Sequence, residues 1–242
     1  MNVLNAGEIA ATAGTSGVVY GVSDTVKYDP QSRINTFAHV NHAPDAPRLG
    51  LLLCVNGTGI ANAWLKRTLN VEHYPQMNEL ASQAPIGAAG LSFLPFGNGA
   101  ERVLNNADPG AAFHGLRFNE HTSAHLCRAV QEGIAFGFCY GIKVMQETGM
   151  DLSVIRAGEA NMFLSETFRQ TLADTAGVAI ELYNTDGSVG AARGAGIGAG
   201  LYRDAQEAFS TLKQVHRTDP DASRGAACQE AYERWCQAMP GA

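Results

Sequence analysis

The sequence predicts an α/β domain that opens on a β-meander, and two observations carry that prediction. Four β-like runs, Glu8 to Ala13, Val18 to Asp24, Asn35 to Val40 and Gly50 to Val55, follow one another, with Asp29-Pro30 and Pro44-Asp45-Ala46-Pro47 as turn formers between them. Short β-rich runs separated by such residues read as hairpin-linked strands. Beyond Val55 helical and strand periods alternate, which is the element order of an α/β fold.

Ala61 to Leu69 reads as a helix and Gly90 to Pro95 as a short strand. A long helix is predicted from Thr122 to Glu147, because Leu126, Val130, Ile134, Phe138, Ile142 and Met145 step by four and then three, the spacing of one buried face. Gly133, Gly137 and Gly141 make a second stripe. Glycine weakens a helix, so these positions predict close approach of another backbone. Leu152 to Ile155 reads as a strand, Phe163 to Ala176 as a helix, Val178 to Tyr183 as a strand, and Val189 to Tyr202 and Ala222 to Ala238 as helices. The tail from Asp219, with Trp235 and Cys236 on an amphipathic helix, is expected to pack on the domain. There is no internal repeat.

Composition narrows the function classes. A chain of 242 residues, 45% hydrophobic, can bury a sizeable core. With 17 Lys+Arg against 23 Asp+Glu, it carries no basic stripe for a nucleic-acid backbone. The five cysteines have neither C-x-x-C spacing nor the density of a disulfide scaffold, so reduced thiols and a cytoplasmic location are expected. Met1-Asn2-Val3-Leu4-Asn5 lacks the basic and apolar regions of a signal peptide, and Ile134 to Ile142 is too short to span a membrane.

Two segments carry chemistry. Gly14-Thr15-Ser16-Gly17 stands between the first two β-runs; it is either an ordinary glycine turn or a hairpin tip that turns backbone N–H groups toward a phosphate. Arg156-Ala157-Gly158-Glu159-Ala160-Asn161 links a strand to a helix. There Asn161 can cap the helix, offer donor and acceptor to a purine edge, or do both. Other patterns do not hold up. Gly194-Ala195-Gly196-Ile197-Gly198-Ala199 fits a dinucleotide fingerprint but does not leave a strand directly, so close helix packing accounts for its glycines. His121 and His125 have ligand spacing, yet no Glu follows His121. Ser16 and Ser188 lie outside any nucleophile elbow. Glu101 and Arg102 read as a surface or inter-lobe ion pair and stay outside the catalytic set.

Taken in order, several segments resemble the carboxyl-terminal domain of the FGGY carbohydrate kinases, and among these the xylulokinases. They are the GTSG hairpin, Val55-Asn56-Gly57-Thr58-Gly59 before a Trp64-bearing helix, Leu94 to Arg102, Gly115-Leu116, Arg128 to Gly133, Ala157 to Asn161 and Ala173-Asp174. The resemblance runs from Glu8 to about Tyr202. It implies an actin-like ATPase domain of the ribonuclease H type, a mixed sheet with surrounding helices, holding ATP in a cleft between two such domains. Gly14, Thr15, Ser16 and Gly17 then match the second phosphate loop. Gly59 lies beside the nucleoside, and Ala157, Gly158 and Asn161 match the adenosine motif. The implied reaction transfers the γ-phosphate of ATP, with Mg²⁺, to a sugar hydroxyl of the D-xylulose kind, with an aspartate as general base.

The departures from the family are equally specific. Its amino-terminal domain carries a D-x-G-T-x-S phosphate loop and most sugar contacts, and neither is found here. Its catalytic aspartate lies in a G-D-N-like segment that would fall before Met1, and no Asp precedes Asp24. Arg156 and Ala157 replace glycines that open the adenosine motif, so Arg156 screens phosphate or faces solvent. Gln131 stands where an apolar residue is expected. The expectation is therefore one nucleotide-binding domain over 1–242, without catalytic or metal-ligating residues of its own and inactive alone. It would be joined by an amino-terminal kinase domain or would self-associate. The alternative is a non-catalytic nucleotide-binding or docking module of the same fold.

Overall fold

The computed structural model describes residues 3–239; Met1 and Asn2, on which part of the amino-terminal reading falls, lie outside the described residues. β1 (Ile9–Ala13), β2 (Gly17–Ser23), β3 (Asn35–Ala38) and β4 (Leu49–Val55) form the expected meander. After it come α1 (Gly59–Thr68), α2 (Tyr74–Gln83), β5 (Ser92–Leu94), β6 (Ala112–His114) and α3 (Ser123–Glu147). β7 (Val154–Gly158), α4 (Glu166–Ala176), β8 (Ala179–Tyr183), α5 (Gly187–Gly198), α6 (Ala205–Ala208), β9 (Gln214–Thr218) and α7 (Ala222–Gln237) follow. Of these, α2, β6, α6 and β9 were not expected from the sequence.

Seven strands build a mixed sheet in the order β3-β4-β2-β1-β7-β8-β9, and β5 and β6 form a separate pair. β1 runs parallel to β7, and β7 to β8, whereas the remaining neighbours are antiparallel. The two-residue period of β1 divides its side chains between the faces. Ile9, Ala11 and Ala13 enter the main core, while Ala10 joins a smaller cluster with Val3 and Val22. Among the described residues no helix is long and apolar enough to cross a membrane.

The long helix α3 starts at a capping box, in which Thr122 is the cap and His125 Nδ1 accepts the Thr122 N–H at 3.1 Å. His121 Nδ1 accepts the N–H of Arg117 at 2.9 Å, so both imidazoles hold backbone turns. The glycine stripe behaves as expected at one position. A Cβ on Gly133 would stand 2.1 Å from the Phe93 carbonyl oxygen, so β5 presses its backbone on the helix there. Gly141 instead makes room for the Leu53 side chain, and Gly137 leaves only ordinary contact. In α5 the expected close helix packing is absent: Gly194 and Gly198 meet nothing, and Gly196 accommodates the ring of Tyr202.

α7 returns to the core as expected. Trp235 is fully buried, its Nε1–H donates to the Phe93 carbonyl at 2.8 Å, and it stacks on Tyr232. Two carbonyl contacts thus converge on β5, one from α3 and one from α7.

A pair of substitutions separates packing from helix propensity. Gly133→Ala should lower stability in urea denaturation, because the methyl meets a fixed backbone oxygen. Gly225→Ala, also helical but with nothing within 4 Å, should raise it by up to ~1 kcal/mol.

Candidate functional site

The site is built around the β1–β2 hairpin. Ala13 pairs with Gly17, leaving Gly14, Thr15 and Ser16 as the tip. The tip lies on the first turn of α1, where the Gly14 carbonyl accepts the Gly59 N–H at 2.8 Å and the Thr15 carbonyl accepts the Ile60 N–H at 3.1 Å. In a trans peptide the C=O and the following N–H point in opposite directions. The N–H groups of Thr15 and Ser16 therefore turn away from α1, as an anion-binding tip requires. By the same contacts the leading N–H groups of α1 are spent on the hairpin, so phosphate binding falls to the tip rather than to the helix end. Gly59 is obligatory here, since a Cβ would lie 2.3 Å from the Gly14 oxygen.

The turn leading into α1 is pinned from below. A Cβ on Gly57 would lie 1.4 Å from the Pro95 carbonyl oxygen. The Glu101 carboxylate accepts the N–H of Asn56 at 3.0 Å and of Gly57 at 3.2 Å. Glu101 is 0% exposed, and the expected ion pair with Arg102 does not form. The Arg102 guanidinium donates instead to the Ser32 carbonyl at 3.2 Å. Backbone amides replace the cation because the 3₁₀ turn from Arg102 to Leu104 carries Glu101 inward as its capping residue. Burial raises the Glu101 pKa above the ordinary carboxylate range, against the lowering effect of the two amides.

Beside the hairpin opens a cleft of about 490 Å³. Gly14 and Thr15 of the hairpin, Gly59 and Asn62 of α1, and Tyr74 and Asn78 of α2 line it, together with Asn161 and Ser165. Among the described residues the lining contains no carboxylate, lysine, arginine or histidine, so its polarity comes from amides and hydroxyls. Of the residues proposed from the sequence, Gly14, Thr15, Gly59 and Asn161 meet here, and the Asn161 amide approaches Gly14.

The others lie elsewhere. Gly17 is buried beneath Phe138 and Thr58. Ser16 borders Cys54. Ala157 is fully buried in β7, and a Cβ on Gly158 would stand 2.3 Å from the Thr185 carbonyl. The reason is that β7 continues to Gly158, beyond the predicted end at Ile155, in register with β8. Arg156 consequently sits in the strand and pairs with Glu8 at 2.9 Å, so it neither screens phosphate nor simply faces solvent. Helix α4 begins later than predicted, at Glu166, capped by Ser165, whose Oγ accepts the Phe168 N–H at 3.3 Å. Asn161 is therefore not its cap; it opens a 3₁₀ turn, Asn161–Leu164, with φ +55°, a left-handed conformation that Asn tolerates better than most residues.

Behind the wall lies a hydrogen-bonded chain that the sequence reading missed. The Ser165 hydroxyl donates to Gln131 Oε1 at 2.6 Å, and Gln131 Nε2 donates to Asn78 Oδ1 at 2.9 Å. Gln131 is 0% exposed, which explains a polar residue at an apolar position of α3. Asn62, 4% exposed, leaves its Oδ1 without a partner. The forewarning was Gln131, which stands where the family pattern expects an apolar residue.

Residues 9–199 match the FGGY family of carbohydrate kinases, C-terminal domain. Xylulose kinase of Haemophilus influenzae is 32% identical over 232 residues, covering 92% of this chain and 44% of that protein. The ligand-bound xylulose kinase of Lactobacillus acidophilus superposes with a TM-score of 0.80 at 26% identity, over 96% of this chain and 46% of that one. Plasmodium falciparum glycerol kinase with ADP shares the fold, with a TM-score of 0.79 at 21% identity, over 97% and 47%. The chain thus spans about half the length of the relatives it matches. The mixed sheet flanked by helices is that of the actin-like ATPase fold.

The buried Glu101 carries a pH signature. Its folded pKa is raised, so its contribution to stability is greatest below the unfolded value of about 4.5 and is lost as pH rises through the folded pKa. Between pH 7 and pH 4.5, wild-type protein should gain stability relative to Glu101→Gln in paired denaturation curves. Glu101→Ala, which strands the Asn56 and Gly57 amides, should cost about 1–3 kcal/mol at neutral pH.

Proposed function

Since this chain belongs to the FGGY family of carbohydrate kinases, we propose that it is the nucleotide-binding half of an ATP-dependent sugar kinase of the xylulokinase kind. The observation that carries this reading is the hairpin tip, with its amides turned away from α1, beside an uncharged cleft that also holds Asn161. In this reading the Thr15 and Ser16 amides and the Thr15 hydroxyl bond the phosphate oxygens. Gly59, whose missing side chain seats the hairpin, lies beside the nucleoside, and Asn161 orients it. Gly17, Ala157 and Gly158 shape the strands that carry these groups. Bound ATP supplies the phosphoryl group that a sugar hydroxyl accepts.

The general base comes from outside this wall, because the cleft lining holds no carboxylate. A domain facing it would supply the base and most sugar contacts; the matched relatives, of which this chain spans 44% to 47%, have length to spare for one. Among the described residues the lining likewise offers Mg²⁺ no carboxylate, and the ion would arrive on the nucleotide phosphates. The five free cysteines support a cytoplasmic setting. A non-catalytic nucleotide-binding module would also have an uncharged wall, so activity has to decide between the two readings.

The chain alone, given D-xylulose, ATP and Mg²⁺ in a coupled assay, should show no turnover approaching ~10 s⁻¹. Activity should appear when an amino-terminal sugar-kinase half is added, and failure to restore it would favour the non-catalytic module. With one wall of the cleft present, ADP should bind near ~1 mM, about −4 kcal/mol. NMR titration should move the resonances of Thr15 and Asn161, and Thr15→Val and Asn161→Leu should each abolish the shifts. Shifts confined to Gly194–Gly200 would overturn the assignment.

A further inference from the structure

We propose that buried Glu101 is a positioning residue for phosphate binding, holding the turn before α1 in the shape that lets the hairpin tip present its amides. The inference rests on the nucleotide reading of the site. Both carboxylate oxygens are engaged: the Asn56 nitrogen lies 3.0 Å from each, and the Gly57 nitrogen lies 3.2 Å from Oε1. Two successive backbone amides aimed at one anion form a nest, and here the anion is a side chain of the protein. Both of its oxygens must accept, whereas a carboxamide would turn an amine against one of the N–H groups. Burying a carboxylate without a cation is costly, and the turn that it orders is the one on which the tip is seated.

Two routes lead from this turn to the tip. Along the backbone, Asn56 and Gly57 run by way of Thr58 into Gly59 and Ile60, whose N–H groups donate to the Gly14 and Thr15 carbonyls. Those carbonyls set the direction of the Thr15 and Ser16 amides. Through side chains, the Cys54 thiol donates to Asn56 Oδ1 at 3.4 Å, and the Ser16 side chain hydrogen-bonds the same thiol. The turn is closed on its outer side as well, where Asn56 Nδ2 donates to the Ala100 carbonyl at 2.8 Å, next to Glu101 in the chain. The phosphate amides are thus held from two directions by residues 54–57, and that segment by Glu101. Asn161 stands on a separate 3₁₀ turn after β7, so loosening residues 56 and 57 should release the phosphate end and spare the nucleoside end.

The test is NMR titration of the full chain with ADP and with adenosine, which differ only in the phosphates. Wild-type protein should bind ADP about tenfold tighter than adenosine, the gain expected of one charge-assisted bond at the tip. In Glu101→Gln the two ligands should bind nearly alike, with the Thr15 shift on ADP lost and the Asn161 shift on adenosine kept. Cys54→Ala, at a half-buried position, should lower the ADP:adenosine ratio about threefold by cutting the side-chain route. Cys54→Ser can accept from Ser16 and donate to Asn56, so it should restore the ratio. A merely structural defect would weaken ADP and adenosine together, and that result in Glu101→Gln overturns the inference, as does an unchanged ratio. If Glu101→Gln does not fold, the Cys54 pair decides: a ratio in Cys54→Ala equal to that of the wild type overturns the proposal. If ADP leaves Thr15 unmoved in the wild-type protein, the nucleotide reading itself fails, and the inference with it.

Discussion

Two carbonyl groups at the hairpin tip, those of Gly14 and Thr15, organise the site by accepting the leading amides of α1. Because the peptide unit is rigid, this one commitment settles the direction of the amides on its other side. It also demands glycine at position 59, where the hairpin oxygen occupies the place of a side chain. The same device recurs at Gly57 against Pro95 and at Gly133 against Phe93. At each point a helix or its entry turn is seated on a carbonyl oxygen from a distant segment. Such contacts tolerate no methyl group, so they define the distances between layers more sharply than side-chain packing, which can rearrange.

The charges of the interior are arranged around this frame and kept out of the cleft. Glu101 is held by backbone amides alone. Glu132 on α3 is held by Arg128 at 2.7 Å and by the Gly87 amide at 3.1 Å, and burial still raises its pKa. Each buried carboxylate ties a turn to the frame, Asn56–Gly57 in one case and the Gly87 turn in the other. Lining the cleft with amides and hydroxyls lets a polyanion approach without meeting a fixed negative charge, while the specific bonds remain short-range and directional.

Where local chemistry specifies an element, the sequence was a reliable guide. The apolar stripe of α3 recurs within a few residues at each step, and the glycines that bracket the hairpin tip stand three residues apart. Helix α2 could have been recognised, since Met77, Leu80, Ala81 and Ala84 have helical spacing, but its cap His73 makes no side-chain bond that marks a start. β9 is mostly exposed, and its Gln-Val-His-Arg-Thr run has no apolar period to reveal it. The ends of β7 and α4 were misjudged because strand pairing with β8 overrode the loop-like composition of Arg156 to Gly158. Least legible were Glu101, Asn62 and the Ser165–Gln131–Asn78 chain. Their partners are backbone groups or side chains far away in sequence, or are lacking altogether, and no periodicity encodes such meetings.

The bond from Trp235 to the Phe93 carbonyl joins residues 142 positions apart. During synthesis β5 and the start of α3 leave the ribosome well before α7 exists. Until then the face of β5 that Trp235 will cover remains open to water, and the aromatic cluster of Phe96, Phe136, Tyr232 and Trp235 is incomplete. Closure of this layer is therefore a late, high-contact-order event in the life of the nascent chain. The interval before α7 emerges is when the half-built core is most open to chaperones and to misassociation.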